Sequence, residues 1–136
     1  FCMQYRMFFS LIVISLLYSN NVVIEPVDFY PEGQVKEEKH FNLKDDKKTL
    51  TQIISYYENG KLKNQASYKN RRKNGLYIEY YENQKKSKEG QFKNGFRVGK
   101  WTQYNQKGLV ERVTIYKNGR KVSSIDYTGF KILSTR

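Results

Sequence analysis

The chain repeats itself every 24 residues, and that period restricts its possible folds more than any single residue does. Tyr56-Tyr57-Glu58-Asn59-Gly60 returns as Tyr80-Tyr81-Glu82-Asn83-Gln84, and in altered form as Tyr104-Asn105-Gln106-Lys107-Gly108. The same step carries Tyr68-Lys69-Asn70 onto Phe92-Lys93-Asn94-Gly95 and Tyr116-Lys117-Asn118-Gly119, and Gly75 onto Gly99. An earlier copy, Phe29-Tyr30-Pro31-Glu32-Gly33, stands 27 residues upstream, with three extra residues placed in the stretch from Asp45 to Thr49. The chain therefore divides into about four units: an atypical cap and first unit over 21–50, regular units over 51–119, and a capping strand with a tail over 120–136.

Each unit reads as a β-hairpin. Leu76 to Tyr81 is rich in strand formers, Glu82-Asn83-Gln84 is a turn, and Lys85 to Phe92 forms a second extended run. Asn-Gly pairs at 59–60, 74–75, 94–95 and 118–119 predict tight turns, because primed turns require positive φ at both central residues. No window keeps a helical apolar period, so the expected fold is all-β: an elongated antiparallel meander of repeated hairpins. Ala66, Gly90 and Thr114 share one column beside Tyr68, Phe92 and Tyr116, while Ile53, Tyr77 and Trp101 run opposite in parity to Ile54, Ile78 and Thr102. Both faces thus carry apolar material. One is either an aromatic binding surface or covered by curvature and stacking.

Charge is distributed unevenly. The whole chain is +12, but residues 61–121 hold 17 Lys or Arg against 4 Asp or Glu, a net +13, and residues 21–60 hold 5 against 8, a net −3. Such a field attracts anionic partners, and lysines on strands also discourage edge pairing. An aromatic content of 15% argues against disorder.

Met7 to Leu17 is an apolar run after Arg6, too short to span a bilayer comfortably and similar in pattern to a secretory signal over 1–20. The expected location is therefore periplasmic, envelope-associated or secreted. The alternatives are a buried strand or an uncleaved anchor, and if the run is not a signal the expected location is cytoplasmic.

Catalytic chemistry finds little material. His40 is the only histidine and Cys2 the only cysteine, so no histidine-based triad, multi-histidine metal site or thiolate cluster can be assembled. The glycines recur as turn formers, not as a phosphate loop opening a helix. No enzyme activity and no cofactor are expected. The candidate binding surface combines the densest cations, Arg71, Arg72, Lys73, Lys85, Lys86 and Lys88, with Tyr57, Tyr77, Tyr81 and Trp101, since aromatic and arginine side chains dominate protein contacts. The expected partner is an acidic protein, with an anionic membrane or envelope polymer as the alternative; export disfavours nucleic acid.

Tyr56 to Lys63, Lys73-Asn74-Gly75 and Phe92 to Trp101 resemble the variant MORN repeat of bacterial YwqK-like proteins, over roughly residues 29–128. Gln84 stands where that pattern has a turn glycine, and Asn105 where it has a second tyrosine. The resemblance implies an elongated twisted sheet. It also implies a protein-binding role as an antitoxin or immunity-type partner of a toxin, MORN repeats elsewhere being associated with scaffolding and membrane contact.

Overall fold

Alternating side chains and closely spaced turn signals produce strands joined by short connections. The computed structural model describes residues 21–127. They form nine strands: β1 (Val22–Phe29), β2 (Val35–Lys44), β3 (Lys47–Tyr56), β4 (Leu62–Lys69), β5 (Arg72–Tyr80), β6 (Lys86–Lys93), β7 (Phe96–Tyr104), β8 (Val110–Lys117) and β9 (Arg120–Asp126). Each pairs antiparallel with the next, so one sheet runs from β1 to β9 in chain order. This is the expected hairpin meander. At about 4.8 Å per strand the sheet extends about 38 Å across its strands. The segment read as a signal lies outside the described residues, as does the tail beyond Tyr127.

Two kinds of connection alternate. Five-residue loops at 30–34, 57–61, 81–85 and 105–109 line one edge; two-residue turns Asp45-Asp46, Asn70-Arg71, Asn94-Gly95 and Asn118-Gly119 line the other. All eight residues of those turns have positive φ, from 49° at Asp45 to 88° at Gly95, as primed turns demand. The long loops share one backbone pattern: Tyr57 N–H donates to Lys61 O and Gly60 N–H to Tyr57 O, and the loops at Tyr30, Tyr81 and Asn105 repeat both bonds. Gln84 keeps that pattern by adopting φ 65° where Gly60 has 78°.

Three expectations need correction. Asn59-Gly60 is not a two-residue turn but part of the five-residue loop 57–61, with positive φ at Gly60 alone. Asn74-Gly75 is not a turn, because the turn falls at Asn70-Arg71 and β5 already begins at Arg72. Gly75, at φ 107°, instead forms a bulge in which three residues of β5 pass Ser67, and Gly99 at φ 64° repeats it beside Gly90. The extra residues of the first unit are not confined to the stretch from Asp45 to Thr49. They lengthen β2 and β3 to ten residues each and place a bulge near His40.

Each long-loop hairpin also carries one unpaired residue in its second strand: Lys36, Lys63, Ser87 and Glu111. They occupy equivalent places in successive units.

The sheet is one layer, so burial is shallow. Ala66, Ile78 and Trp101 are the buried hydrophobic residues, with Thr102 and Thr114 beside them. The front face carries a row Ala66, Tyr77, Gly90, Trp101 and Thr114; Ile78 and Thr102 lie on the back. Gly90 is required for this packing: a Cβ there would sit 2.3 Å from Trp101 Cδ2. The indole lies flat across the glycine backbone, and its Nε1–H donates to Gln91 O at 3.2 Å. Of the two readings of the aromatic face, stacking describes it.

Candidate functional site

The front-face rings pack on one another before they meet solvent. Phe92 stands edge-on to Trp101 at 5.0 Å and to Tyr77 at 5.8 Å, Tyr77 lies 5.7 Å from Trp101, and Tyr116 closes the cluster at 6.2 Å. Cations cap it from the tight-turn side. Lys73 Nζ lies 5.3 Å from both the Tyr77 and Phe92 ring centres, and the Arg97 guanidinium 4.5 Å from that of Trp101. Arg97 also donates to Tyr116 Oη at 3.2 Å. Burial, then the Glu79 carboxylate that accepts its hydroxyl proton at 3.1 Å, push the Tyr77 phenol up to about 12.

The ten residues selected from sequence do not make one surface. Trp101 is only 3% exposed and serves as core, and Tyr77 is half-buried within the same stack. Arg71, Arg72 and Lys73 stand at the tight-turn edge, with Arg71 and Arg72 exposed. Tyr57, Tyr81 and Lys85 belong to the opposite edge, where they are ties. Tyr57 and Tyr81 donate their hydroxyls to Tyr80 O and Tyr104 O, both at 2.7 Å, and Lys85 Nζ donates to Lys107 O at 3.0 Å. Lys86 binds Glu89 on the back face at 2.7 Å, while Lys88 reaches Glu79 on the front at 3.5 Å. Hydrogen bonds from Lys86 and then Tyr104 hold the Glu89 carboxyl below its ordinary value.

The tight-turn edge extends well beyond Arg71 and Arg72. Segments 69–73, 93–97 and 117–121 together hold nine Lys or Arg and no Asp or Glu: Lys69, Arg71, Arg72 and Lys73, then Lys93 and Arg97, then Lys117, Arg120 and Lys121. Successive turns are two strands apart, so the groups recur about every 10 Å. Phe96, 58% exposed, projects at the middle turn. The missed cations carried a sequence signal of their own, since Lys69, Lys93 and Lys117 share one column and Lys73, Arg97 and Lys121 another at the 24-residue step. Choosing the densest local run hid it.

His40 is half-buried with Nε2 2.8 Å from Glu38 Oε1, the oxygen that also accepts the Tyr56 hydroxyl at 2.8 Å. Among the described residues no three His, Cys, Asp or Glu side chains gather to hold a metal ion.

No curated protein matches the chain. Among solved structures, a chain described as the GtfA/B complex bound to UDP and GlcNAc aligns over 79% of this chain at 11% identity and a TM-score of 0.40, too loose a likeness to carry fold or function. This chain spans 22% of that chain's length. The MORN repeat variant family matches residues 27–43 and 52–70, each segment enclosing a five-residue loop and most or all of the second strand of its hairpin. Together with the 24-residue period and the meander, this match supports a MORN-repeat protein.

Proposed function

We propose that the chain is a non-enzymatic binding module that docks an acidic protein along its tight-turn edge, with a toxin as the partner that the YwqK-like resemblance suggests. The observation behind this reading is the run of nine cations without a carboxylate over three consecutive turns. An anionic partner gains attraction at every turn, and the stacked rings hold Lys73 and Arg97 in place before it arrives.

The test is capture from lysate and envelope extract of the source cells, with the full chain as bait and a salt gradient as eluent. A variant carrying Arg71→Glu, Arg72→Glu, Lys93→Glu and Arg120→Glu runs beside it. Retention of one acidic protein to moderate salt by the parent, and its loss from the variant, supports the proposal; equal capture by both defeats it.

A second reading, docking on an anionic membrane or envelope polymer, draws on Phe96, an exposed ring flanked by cations. It predicts many anionic components eluting together at low salt, with a steep salt dependence.

A further inference from the structure

One front-face cavity of about 250 Å³ opens between the long loops of the second and third units, lined by Tyr57, Glu79, Tyr81, Ser87, Lys88 and Glu111 among others. Its chemistry is opposite to that of the tight-turn edge. Glu79 and Glu111 contribute two carboxylates against one resident ammonium, that of Lys88, which meets Glu79 only at a loose 3.5 Å. Glu111 has no ion-pair partner among the described residues. The Ser87 hydroxyl is buried and has no hydrogen-bond partner among the described residues.

The repeat itself indicates what such a place takes. In the first unit Lys36 occupies the unpaired position; its ammonium lies over the Tyr30 ring at 5.8 Å and binds the Asp28 carboxylate at 2.9 Å. In the second, Lys63 occupies that position and lies over Tyr57 at 5.5 Å. In the third, Tyr81 stands where Tyr30 and Tyr57 stand, and Glu79 stands where Asp28 stands, but the unpaired position is Ser87. The ring recurs in all three units, the carboxylate of the first is Ser55 in the second and returns as Glu79 in the third, and there the lysine is replaced by a short side chain, Ser87, that lines the cavity. The following unit places Glu111 at its own unpaired position, adding a second carboxylate to the same cavity.

We infer that this cavity is a binding site for a primary alkylammonium group, seated against the Tyr81 ring and held by Glu79 and Glu111. The attraction is a cation over a tyrosine face reinforced by charge-assisted hydrogen bonds, the combination that Lys36 makes within the chain. A free amine and the lysine side chain of a peptide carry the same head group. The site does not depend on the tight-turn edge, so either can fail alone.

The experiment is an NMR titration of the full chain with n-butylammonium chloride, and separately with Nα-acetyl-lysine-N-methylamide, at constant ionic strength. The expected result is saturable shifts at Tyr81, Ser87 and Glu111 with a dissociation constant on the order of 1–10 mM, as a single small contact allows. Ser87→Lys restores the arrangement of the earlier units and is expected to abolish those shifts. Glu111→Gln, which leaves the sheet untouched, is expected to weaken binding several-fold. Tighter binding of the blocked lysine identifies a peptide side chain as the source, and tighter binding of n-butylammonium a free amine; both outcomes support the site. Absence of saturable shifts with either probe, or shifts unchanged by both Ser87→Lys and Glu111→Gln, overturns it.

Discussion

The two long edges of this sheet are built from the same repeat yet differ in what holds them. Along the five-residue loops, neighbours are tied unit to unit: Tyr30 to Tyr56 O, Tyr57 to Tyr80 O, Tyr81 to Tyr104 O, and Lys61 and Lys85 to backbone carbonyls of the loop that follows. Those four loops contain three Glu and three Lys. The tight turns between β4 and β9 are tied mainly through the backbone, Gly95 N–H to Lys73 O at 2.8 Å and Gly119 N–H to Arg97 O at 3.0 Å, with Asn74 donating to Asn94 Oδ1 at 3.3 Å; they carry nine cations, of which Lys73 and Arg97 lie over the rings beneath. Side-chain hydrogen bonds between repeats consume the polar groups of one edge, whereas main-chain bonds and stacking leave the charges of the other facing outward.

The sharpest challenge to that contrast is Trp101→Ala. The substitution removes the most buried large side chain and the platform under Arg97, over a glycine that offers no side chain to fill the gap. The expected loss is about 3–5 kcal/mol, a large share of a small domain's stability, measured as a fall in the urea midpoint. A cost below about 1 kcal/mol would mean that the tight-turn edge is not held by the stack.

Alkaline titration compares the edges a second way. Tyr77 beneath the cations and Tyr56 beside Glu38 both have phenols pushed up to about 12, chiefly by burial. A phenol raised in the folded state contributes stability that is complete below its unfolded value of 10.0 and is lost as pH climbs through the folded one. The urea midpoint should therefore hold steady up to pH 10 with respect to these groups and decline between pH 10 and about 12, in step with tyrosinate absorbance. A midpoint insensitive to pH in that window would remove burial of these phenols from the account.

On the long-loop edge, Tyr81→Phe keeps the ring and deletes the 2.7 Å bond to Tyr104 O. The expected cost is about 1 kcal/mol, with hydrogen exchange accelerated at the neighbouring loop. Lys93→Gln on the opposite edge should leave stability and exchange nearly unchanged. Equal effects from both would erase the difference between the edge tied by side chains and the edge tied by the backbone.

The meander was legible in sequence because period, strand composition and turn residues all point the same way. Where the reading failed, one residue type served two purposes. Gly75 follows an asparagine and reads as a hairpin turn, yet its positive φ serves a bulge inside β5. Trp101 and Tyr77 read as binding aromatics because a single-layer sheet offers little interior. Their burial depends on Gly90 in the adjacent strand and on Lys73 and Arg97 lying over the rings. Tyr57, Tyr81 and Lys85 bond backbone carbonyls of the following unit, a relation between units that composition does not encode. The cationic edge was legible in the columns, but local density drew attention to one turn of three.

Arg71 marks the smallest expected effect and the finest distinction. Its column holds Gly95 and Gly119 in the next two turns, at φ 88° and 80°, whereas Arg71 adopts φ 60° in the left-handed region that disfavours a branched Cα. No hydrogen bond or ion pair of its side chain within the described residues offsets that strain. Arg71→Gly should thus stabilise the fold by up to about 1 kcal/mol, visible as a small rise in thermal midpoint, while weakening capture of an acidic partner. Gain of stability with loss of binding would assign the strained arginine to recognition. Gain of stability with binding intact would leave recognition to the cations that recur at every turn.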